Sequence, residues 1–308
     1  MVDQAASEIL MFYNTENFYP PDKDDLPNCG MRNWDDYKYK LKLHKIGQVF
    51  NLINDNYNGQ PALIGLAEIG DLSVLEDLDS QNSVIKDYGI IYQKSADPRN
   101  LSVAILYNSS VFSLVNFQVL RFHQDNQNDI GTRDILHAEM LYKGKTLHTF
   151  VLHLPSKRDR DVKKDLRHHI LGQLKETVQN LIKNNEEVII MGDFNEDPDS
   201  EILQQFLHCK NKDRILENPF IKFFEAGHFS TYHGKKGTCF DQIIFTDSLC
   251  TTFGFNVIET DICRSEKLRN KDRKNSQYPY RTYSGSRYMG GYSDHFPVVI
   301  KLLQNPQP

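Results

Sequence analysis

The segment Gly291-Tyr292-Ser293-Asp294-His295 runs directly into the apolar stretch Phe296-Pro297-Val298-Val299-Ile300. An acid and an imidazole side by side at the mouth of a buried strand are placed to grip a metal ion and an anion together. A related element lies far upstream, where Val188-Ile189-Ile190-Met191 leads into Gly192-Asp193-Phe194-Asn195. Polar clusters of this kind behind hydrophobic strands point to metal-assisted attack on a phosphate ester.

More strand ends carry the same kind of side chain. Residues 9–13 read as a buried strand ending at Asn14, and residues 61–67 as another ending at Glu68. His153 closes the strand over residues 146–153. Asp241 sits inside the apolar run Cys239-Phe240-Asp241-Gln242-Ile243-Ile244-Phe245, where a carboxylate is costly unless it is paired. Two accounts stay open for it: a bond to backbone or an arginine, or the orientation of a catalytic histidine. Each of the others also has an ordinary reading. Asn14 and Asp193 can form turns, Glu68 can sit at a helix start, and His153 can be a hydrogen-bonding core histidine.

The elements that must position these groups follow from periodicity. Residues 34–55 read as a helix, with Leu43, Ile46, Val49, Phe50 and Ile53 on one face and Trp34 anchoring its start. Residues 161–183 form the clearest helix, striped by Val162, Leu166, Ile170, Leu174, Val178 and Leu181. A short helix is expected over 198–208. Further strands are expected at 101–107, 112–122, 187–191, 240–245, 252–258 and 296–303, with 133–142 and 146–153 paired as a hairpin around Lys143-Gly144-Lys145. Helices and strands mix throughout, with no linker or repeat. This predicts one α/β (α+β) domain over residues 1–308. Residues 261–289 show little pattern and are rich in Lys, Arg, Tyr and Ser, which marks a functional loop insertion or a solvated one.

Composition excludes little. The chain has 308 residues, 39% of them hydrophobic and 25% charged, with a net charge of −5. A core of useful size is available without staples. Cys29, Cys209, Cys239, Cys250 and Cys263 are scattered and lack a C-x-x-C pair, as expected of reduced thiols. Met1 to Leu10 carries Asp3 and Glu8 and no apolar core of a signal peptide, so a cytoplasmic location is expected, and no run is long enough to span a membrane. The expected state is a monomer.

The order of these motifs resembles the endonuclease/exonuclease/phosphatase superfamily, with its deoxyribonuclease-I-like fold. The resemblance rests on Tyr13-Asn14-Thr15-Glu16-Asn17, Glu68, His153-Leu154-Pro155-Ser156, Gly192-Asp193-Phe194-Asn195, Phe240-Asp241 and Ser293-Asp294-His295. It implies a four-layer sandwich: two packed mixed β-sheets flanked by helices. It also implies a Mg²⁺ or Mn²⁺ ion held mainly by Glu68, with help from Asn14 and Asp294. Asp193 would activate the attacking water, Asn195 would hold that water or a phosphate oxygen, and His295 would contact the scissile phosphate, oriented by Asp241. A histidine at position 153 resembles the deoxyribonuclease-I branch more than the apurinic endonucleases; Asp97 is a candidate acidic partner for it.

Basic residues near these motifs point to a nucleic-acid partner, DNA or RNA. Lys157, Arg158 and Arg160 follow His153, and Arg99 precedes a strand. The 261–289 stretch mixes cations with Tyr278, Tyr280, Tyr283 and Tyr288, a combination suited to phosphates and stacked bases. Arg158 and Arg287 are the preferred phosphate contacts. The rivals are a small-molecule or lipid phosphoesterase, of inositol polyphosphate phosphatase or sphingomyelinase type, and a non-catalytic binding module. No apolar hairpin suited to membrane docking stands out, and the intact acid and histidine set argues against pure binding.

Overall fold

The computed structural model describes residues 7–22, 31, 33–122, 134–157, 161–209 and 213–304. The chain opens with strand β1 (Ser7–Phe18), helix α1 (Asp36–Tyr57), β2 (Pro61–Ile69), α2 (Leu72–Gln81), β3 (Gly89–Tyr92) and β4 (Ser102–Tyr107). It continues through β5 (Phe112–Leu120), β6 (Ile135–Tyr142), β7 (Lys145–His153), α3 (Lys164–Lys183), β8 (Glu187–Asp193) and α4 (Glu201–Leu207). Next come β9 (Leu216–Glu217), α5 (Phe220–Glu225), the hairpin β10 (Thr231–His233) and β11 (Lys236–Thr238), then β12 (Asp241–Thr246), α6 (Leu249–Phe253) and β13 (Phe255–Ile262). A two-residue pair, β14 (Tyr283–Ser284) and β15 (Arg287–Tyr288), precedes the last strand, β16 (Val298–Gln304).

Two six-stranded mixed sheets result, ordered β13-β16-β1-β2-β4-β3 and β5-β6-β7-β8-β12-β9. Each contains one parallel pair bridged by a long helix: β1-α1-β2 in the first and β7-α3-β8 in the second. Strand alternation sorts the side chains of β8. Ile189 and Met191 join Phe12 and Leu63 between the sheets, whereas Val188 and Ile190 pack outward under Ile170, Leu174 and Val178 of α3. On the other outer face, α1 buries Leu43, Ile46, Val49, Phe50 and Ile53. Helix, sheet, sheet and helix thus stack as four layers.

Helix α1 starts where Asp35 accepts a hydrogen bond from Lys38 N and stops at Asn58, which takes a left-handed conformation. Trp34 is buried just ahead of it and donates from Nε1 to Tyr19 O (2.9 Å). Gly192 matters for close approach: a β-carbon there would lie 2.3 Å from Leu152 O. A larger residue would push β7 and β8 apart beside His153 and Asp193, at a cost of about 1–3 kcal/mol.

Three sequence expectations need correction. The strand expected at 252–258 is instead α6 followed by β13; Gly254 adopts φ 71° and separates them. Residues 261–289 are better ordered than their composition implies, with β13 running to Ile262, two 3-10 turns and the β14–β15 pair. The short elements α2, β3, α5 and the β10–β11 hairpin lie in stretches the pattern left unassigned. Arg133, expected to start a strand, lies outside the described residues, as does Cys29. Cys209, Cys239, Cys250 and Cys263 are free thiols. Among the described residues no helix is long and apolar enough to cross a membrane.

Candidate functional site

Strand register brings the site together. In the second sheet His153 is in parallel register with Asp193, and Asp193 is in antiparallel register with Asp241. Three candidate side chains therefore share one row at the strand ends. In the first sheet Asn14 pairs with Ala67, beside Glu68. An isolated bridge between Thr231 and His295, with a bond from Phe296 N to Ser230 O (2.7 Å), ties the Asp294-His295 segment to the β10 hairpin.

The backbone bends sharply at these ends. Glu16, Asn17, Glu68 and Asn195 all have left-handed conformations, with φ between 51° and 64°. Such a conformation costs a residue with a β-carbon about 1–2 kcal/mol, and clusters of it mark functional sites. Side chains offset the strain: Asn17 N donates to Glu68 Oε2 (2.8 Å), and Asn195 N donates to Asp193 Oδ1 (3.0 Å). Asn195 Nδ2 in turn donates to Leu154 O (2.9 Å), tying the loop after β8 to the loop after β7.

Asp193 is the hub. Its Oδ2 accepts from Asn14 Nδ2 (3.1 Å) and lies 3.4 Å from His153 Nε2 and 3.9 Å from His295 Nε2. Burial pushes its pKa up to about 7; the Asp241 charge adds to this, while His295 and the bonds from Asn195 and Asn14 oppose it. His295 Nδ1 meets Asp241 Oδ2 at 2.7 Å, and Ser230 Oγ donates to the same oxygen at 2.6 Å. Burial disfavours an imidazolium at His295. The charge and hydrogen bond of Asp241, with Asp294 and Asp193, outweigh it and hold the pKa well above the ordinary value. His295 Nε2 is beyond hydrogen-bond reach of Asp193 and Asp294, both 3.9 Å away, and faces the cavity. Burial would raise the Asp294 pKa, but His295, Arg281 and Lys42 pull it below the ordinary carboxylate value; Arg281 Nη2 sits 2.8 Å from Asp294 Oδ2.

The cavity these groups enclose has a volume of about 270 Å³ and is also lined by Glu68, Arg99 and Thr231. Its oxygen donors, Glu68, Asn14, Asp193 and Asp294, suit a hard divalent cation, and among the described residues no cysteine lines it. Glu68 has one oxygen held by Asn17 N and the other 3.5 Å from Arg99 Nη2. Among the described residues, Asp193, Asp241 and His295 gather ligand-type atoms within 4.8 Å of one another. That trio is the poorer metal site, because His295 Nδ1 and Asp241 Oδ2 already satisfy each other and a protonated imidazole is no ligand. The Glu68 side of the cavity is the better fit.

Asn14, Glu68, His153, Asp193, Asn195, Asp294 and His295 all line this cavity, and Asp241 stands behind His295. Arg287 does not line it: its side chain is exposed on the short β14–β15 pair. Arg158 lies outside the described residues. Asp97 accepts from Arg99 N (2.9 Å) and so shapes the turn that presents Arg99. Arg99 itself was legible only as a cation before a strand, and Arg281 only as one of many in a basic stretch. Ser230 and Thr231 carry no sequence signal of their own. Residues 261–289 are pinned from below. Buried Glu16 accepts from Thr282 N (2.6 Å) and Tyr283 N (3.1 Å), and Lys42 Nζ donates to Thr282 Oγ1 (2.6 Å). Several of the tyrosines serve this packing, with Lys45 Nζ 4.2 Å from the Tyr292 ring centre and 5.4 Å from that of Tyr280.

A family profile described as "Endonuclease/Exonuclease/phosphatase family" matches residues 9–304. No curated protein matches the sequence. Among solved structures, the Bacteroides thetaiotaomicron VPI-5482 mannosyl-6-phosphatase Bt3783 aligns with a TM-score of 0.62 at 17% identity, over 96% of this chain and 99% of that one. The human nocturnin catalytic domain with bound sulfate aligns at 0.61 and 15% identity, over 96% and 93%. D. rerio TDP2 complexed with a single-strand DNA product aligns at 0.58 and 14% identity, over 96% and 99%. At such identities the likeness is one of fold.

Proposed function

Because the chain belongs to the endonuclease/exonuclease/phosphatase family, and is a phosphoesterase in that sense, we propose that it is a metal-dependent phosphodiesterase acting on DNA or RNA by in-line attack of water. The observation that carries this reading is the crowding of Asn14, His153 and His295 around one oxygen of Asp193. Asp193, with a pKa raised to about 7, is suited to take a proton from water near neutral pH. Asn14 and Asn195 fix its two oxygens. His295, kept protonated by Asp241, donates from Nε2 to a non-bridging phosphate oxygen and stabilises developing charge. His153 gives a proton to the leaving oxygen as the ester P–O bond breaks. A bound Mg²⁺ or Mn²⁺, held by Glu68 with Asn14 and Asp294, would supply neutralisation of the phosphate charge.

The nucleic-acid preference rests on exposed cations of the late stretch, Lys267, Lys271 and Arg287, which leads into the Asp294-His295 segment. A second reading, a small phosphoester substrate, is favoured by the modest cavity volume of about 270 Å³. The fold does not choose between them, since one neighbour carries a DNA product and another is named a mannosyl-6-phosphatase. The test is hydrolysis of supercoiled plasmid with Mg²⁺ or Mn²⁺, beside Asp193→Ala, with inositol phosphates and sphingomyelin in parallel. Nicking by the wild type alone is expected. Release of phosphate or phosphocholine from intact-plasmid reactions would favour the small-substrate reading, and silence on every substrate would overturn the proposal.

A further inference from the structure

A second groove, of about 290 Å³, opens beside the site cavity and shares Tyr232, Gly234, Arg281 and Asp294 with it. The Arg281–Asp294 ion pair stands at their junction. The character of the lining changes across that junction. Among the described residues the groove is lined by one cation, Arg281, whose guanidinium is bound to Asp294. The other described polar side chains, apart from Asp294 itself, are uncharged: Asn270, Asn275, Ser284 and the tyrosines Tyr232 and Tyr278. Its aromatic wall is an edge-to-face pair, Tyr232 and Tyr278, with ring centres 4.8 Å apart at 79°.

The amides are oriented by one residue. Asn270 Oδ1 accepts from Asp272 N (3.0 Å), and Asn275 Nδ2 donates to Asp272 Oδ2 (2.9 Å). This leaves an amide donor on Asn270 and a carbonyl acceptor on Asn275. A donor, an acceptor, a hydroxyl and two aromatic rings match a ring that carries hydroxyls, not a row of phosphates. The volume lies at the low end of small-molecule pockets, about 300–1,000 Å³, and so suits one ring.

We infer that this groove is a subsite for a single hydroxyl-bearing ring esterified to the scissile phosphate. The ring can be the terminal nucleoside of a nucleic-acid strand or a free sugar phosphate; the recognition chemistry is the same. The inference rests on the neighbouring cavity being a phosphoester site and adds what the ester carries.

The experiment compares esters with and without such a ring, using the full chain with Mg²⁺ or Mn²⁺. Thymidine 5′-(p-nitrophenyl phosphate) is set against bis(p-nitrophenyl) phosphate, and glucose 6-phosphate against p-nitrophenyl phosphate. Two variants are used: Asn270→Ala removes the donor, and Ser284→Trp, at an exposed position, fills the groove. In each variant the preference for the ring-bearing ester is expected to fall by about tenfold or more, through KM and not kcat. An unchanged preference, or equal loss on both members of each pair, overturns the subsite. Saturation-transfer NMR with thymidine and with methyl glucoside reads binding without turnover and tells the two ring sources apart. If no ester is hydrolysed, the catalytic reading fails by itself, and the NMR signal still decides the groove. A signal lost in Ser284→Trp supports it, and no signal from the wild type overturns it.

Discussion

Two pairs of side chains in the second sheet region bring buried histidines to opposite ends of their titration range. His295 is bound to Asp241 at 2.7 Å and is held well above the ordinary pKa. On strands β6 and β7, His137 Nε2 meets His148 Nδ1 at 2.9 Å, with Gln118 on the other ring nitrogen of His137 and the Phe150 ring stacked 4.1 Å away. Burial, and then His148, pushes His137 down to about 4. Burial also lowers His148, with Glu186, 3.4 Å from its Nε2, in part opposing the shift. All three imidazoles are nearly enclosed, so burial does not separate them. The partner does: an anion fixed in the strand row keeps a charge in the interior, whereas a second imidazole expels it. The first arrangement suits a phosphate; the second closes a packed sheet surface.

Breaking the anion's side of this contrast has the largest expected effect. Asp241→Asn keeps the shape and removes the charge. Turnover should fall by about 10²–10⁴-fold, and the His295 proton, followed by NMR, should titrate near the ordinary range. An imidazole still protonated at high pH would remove Asp241 as the cause. Glu68→Gln should weaken Mg²⁺ or Mn²⁺ binding, measured by calorimetry on the protein alone, by about 10–100-fold; an unchanged isotherm would take Glu68 out of the metal site.

Proton linkage sharpens the comparison further. Asp193 must be ionised to accept a proton, so kcat/KM should fall by about tenfold per pH unit below its pKa of about 7. A flat profile from pH 5 to 8 would mean that another group is the base. The smallest effect lies in the imidazole pair. The folded pKa of His137, about 4, is below the ordinary 6.5. Its contribution is therefore fully present above pH 6.5 and is lost as pH falls toward 4, on the order of 1–3 kcal/mol. His137→Phe should reduce that acid-side loss in urea melts without loss of turnover. His295 has the opposite sign: its stabilising contribution is present below 6.5 and is lost only as pH climbs through the raised folded value.

Much of this was legible from the chain, residue by residue. Asn14, Glu68, His153, Asp193, Asn195, Asp294 and His295 each stood at the end of an apolar run, and register carries each of them to the cavity wall. The long helices could be read from their stripes because a 3.6-residue period survives over many turns. Short elements gave no such signal: β14 and β15 have two residues each and exist through their pairing, Tyr283 with Tyr288 and Ser284 with Arg287. Composition in the late stretch did not reveal that some of its side chains also pack: Lys271 Nζ lies 5.5 Å from the Tyr280 ring centre.

The sequence by itself determined the α/β class and the chemical types available at each strand end, since both follow from local periodicity and from side-chain identity; the two-sheet sandwich was what the family resemblance implied. Only the tertiary structure decided which arginines line the cavity, that Asp241 pairs with His295, and which carboxylates surround that imidazole. The physical reason is distance. Asn14 reaches Asp193 across 179 residues of sequence, Asp241 reaches His295 across 54, and Glu16 reaches Thr282 across 266. A protonation state depends on the charges within a few ångströms and on water excluded from around them, and folding alone sets both.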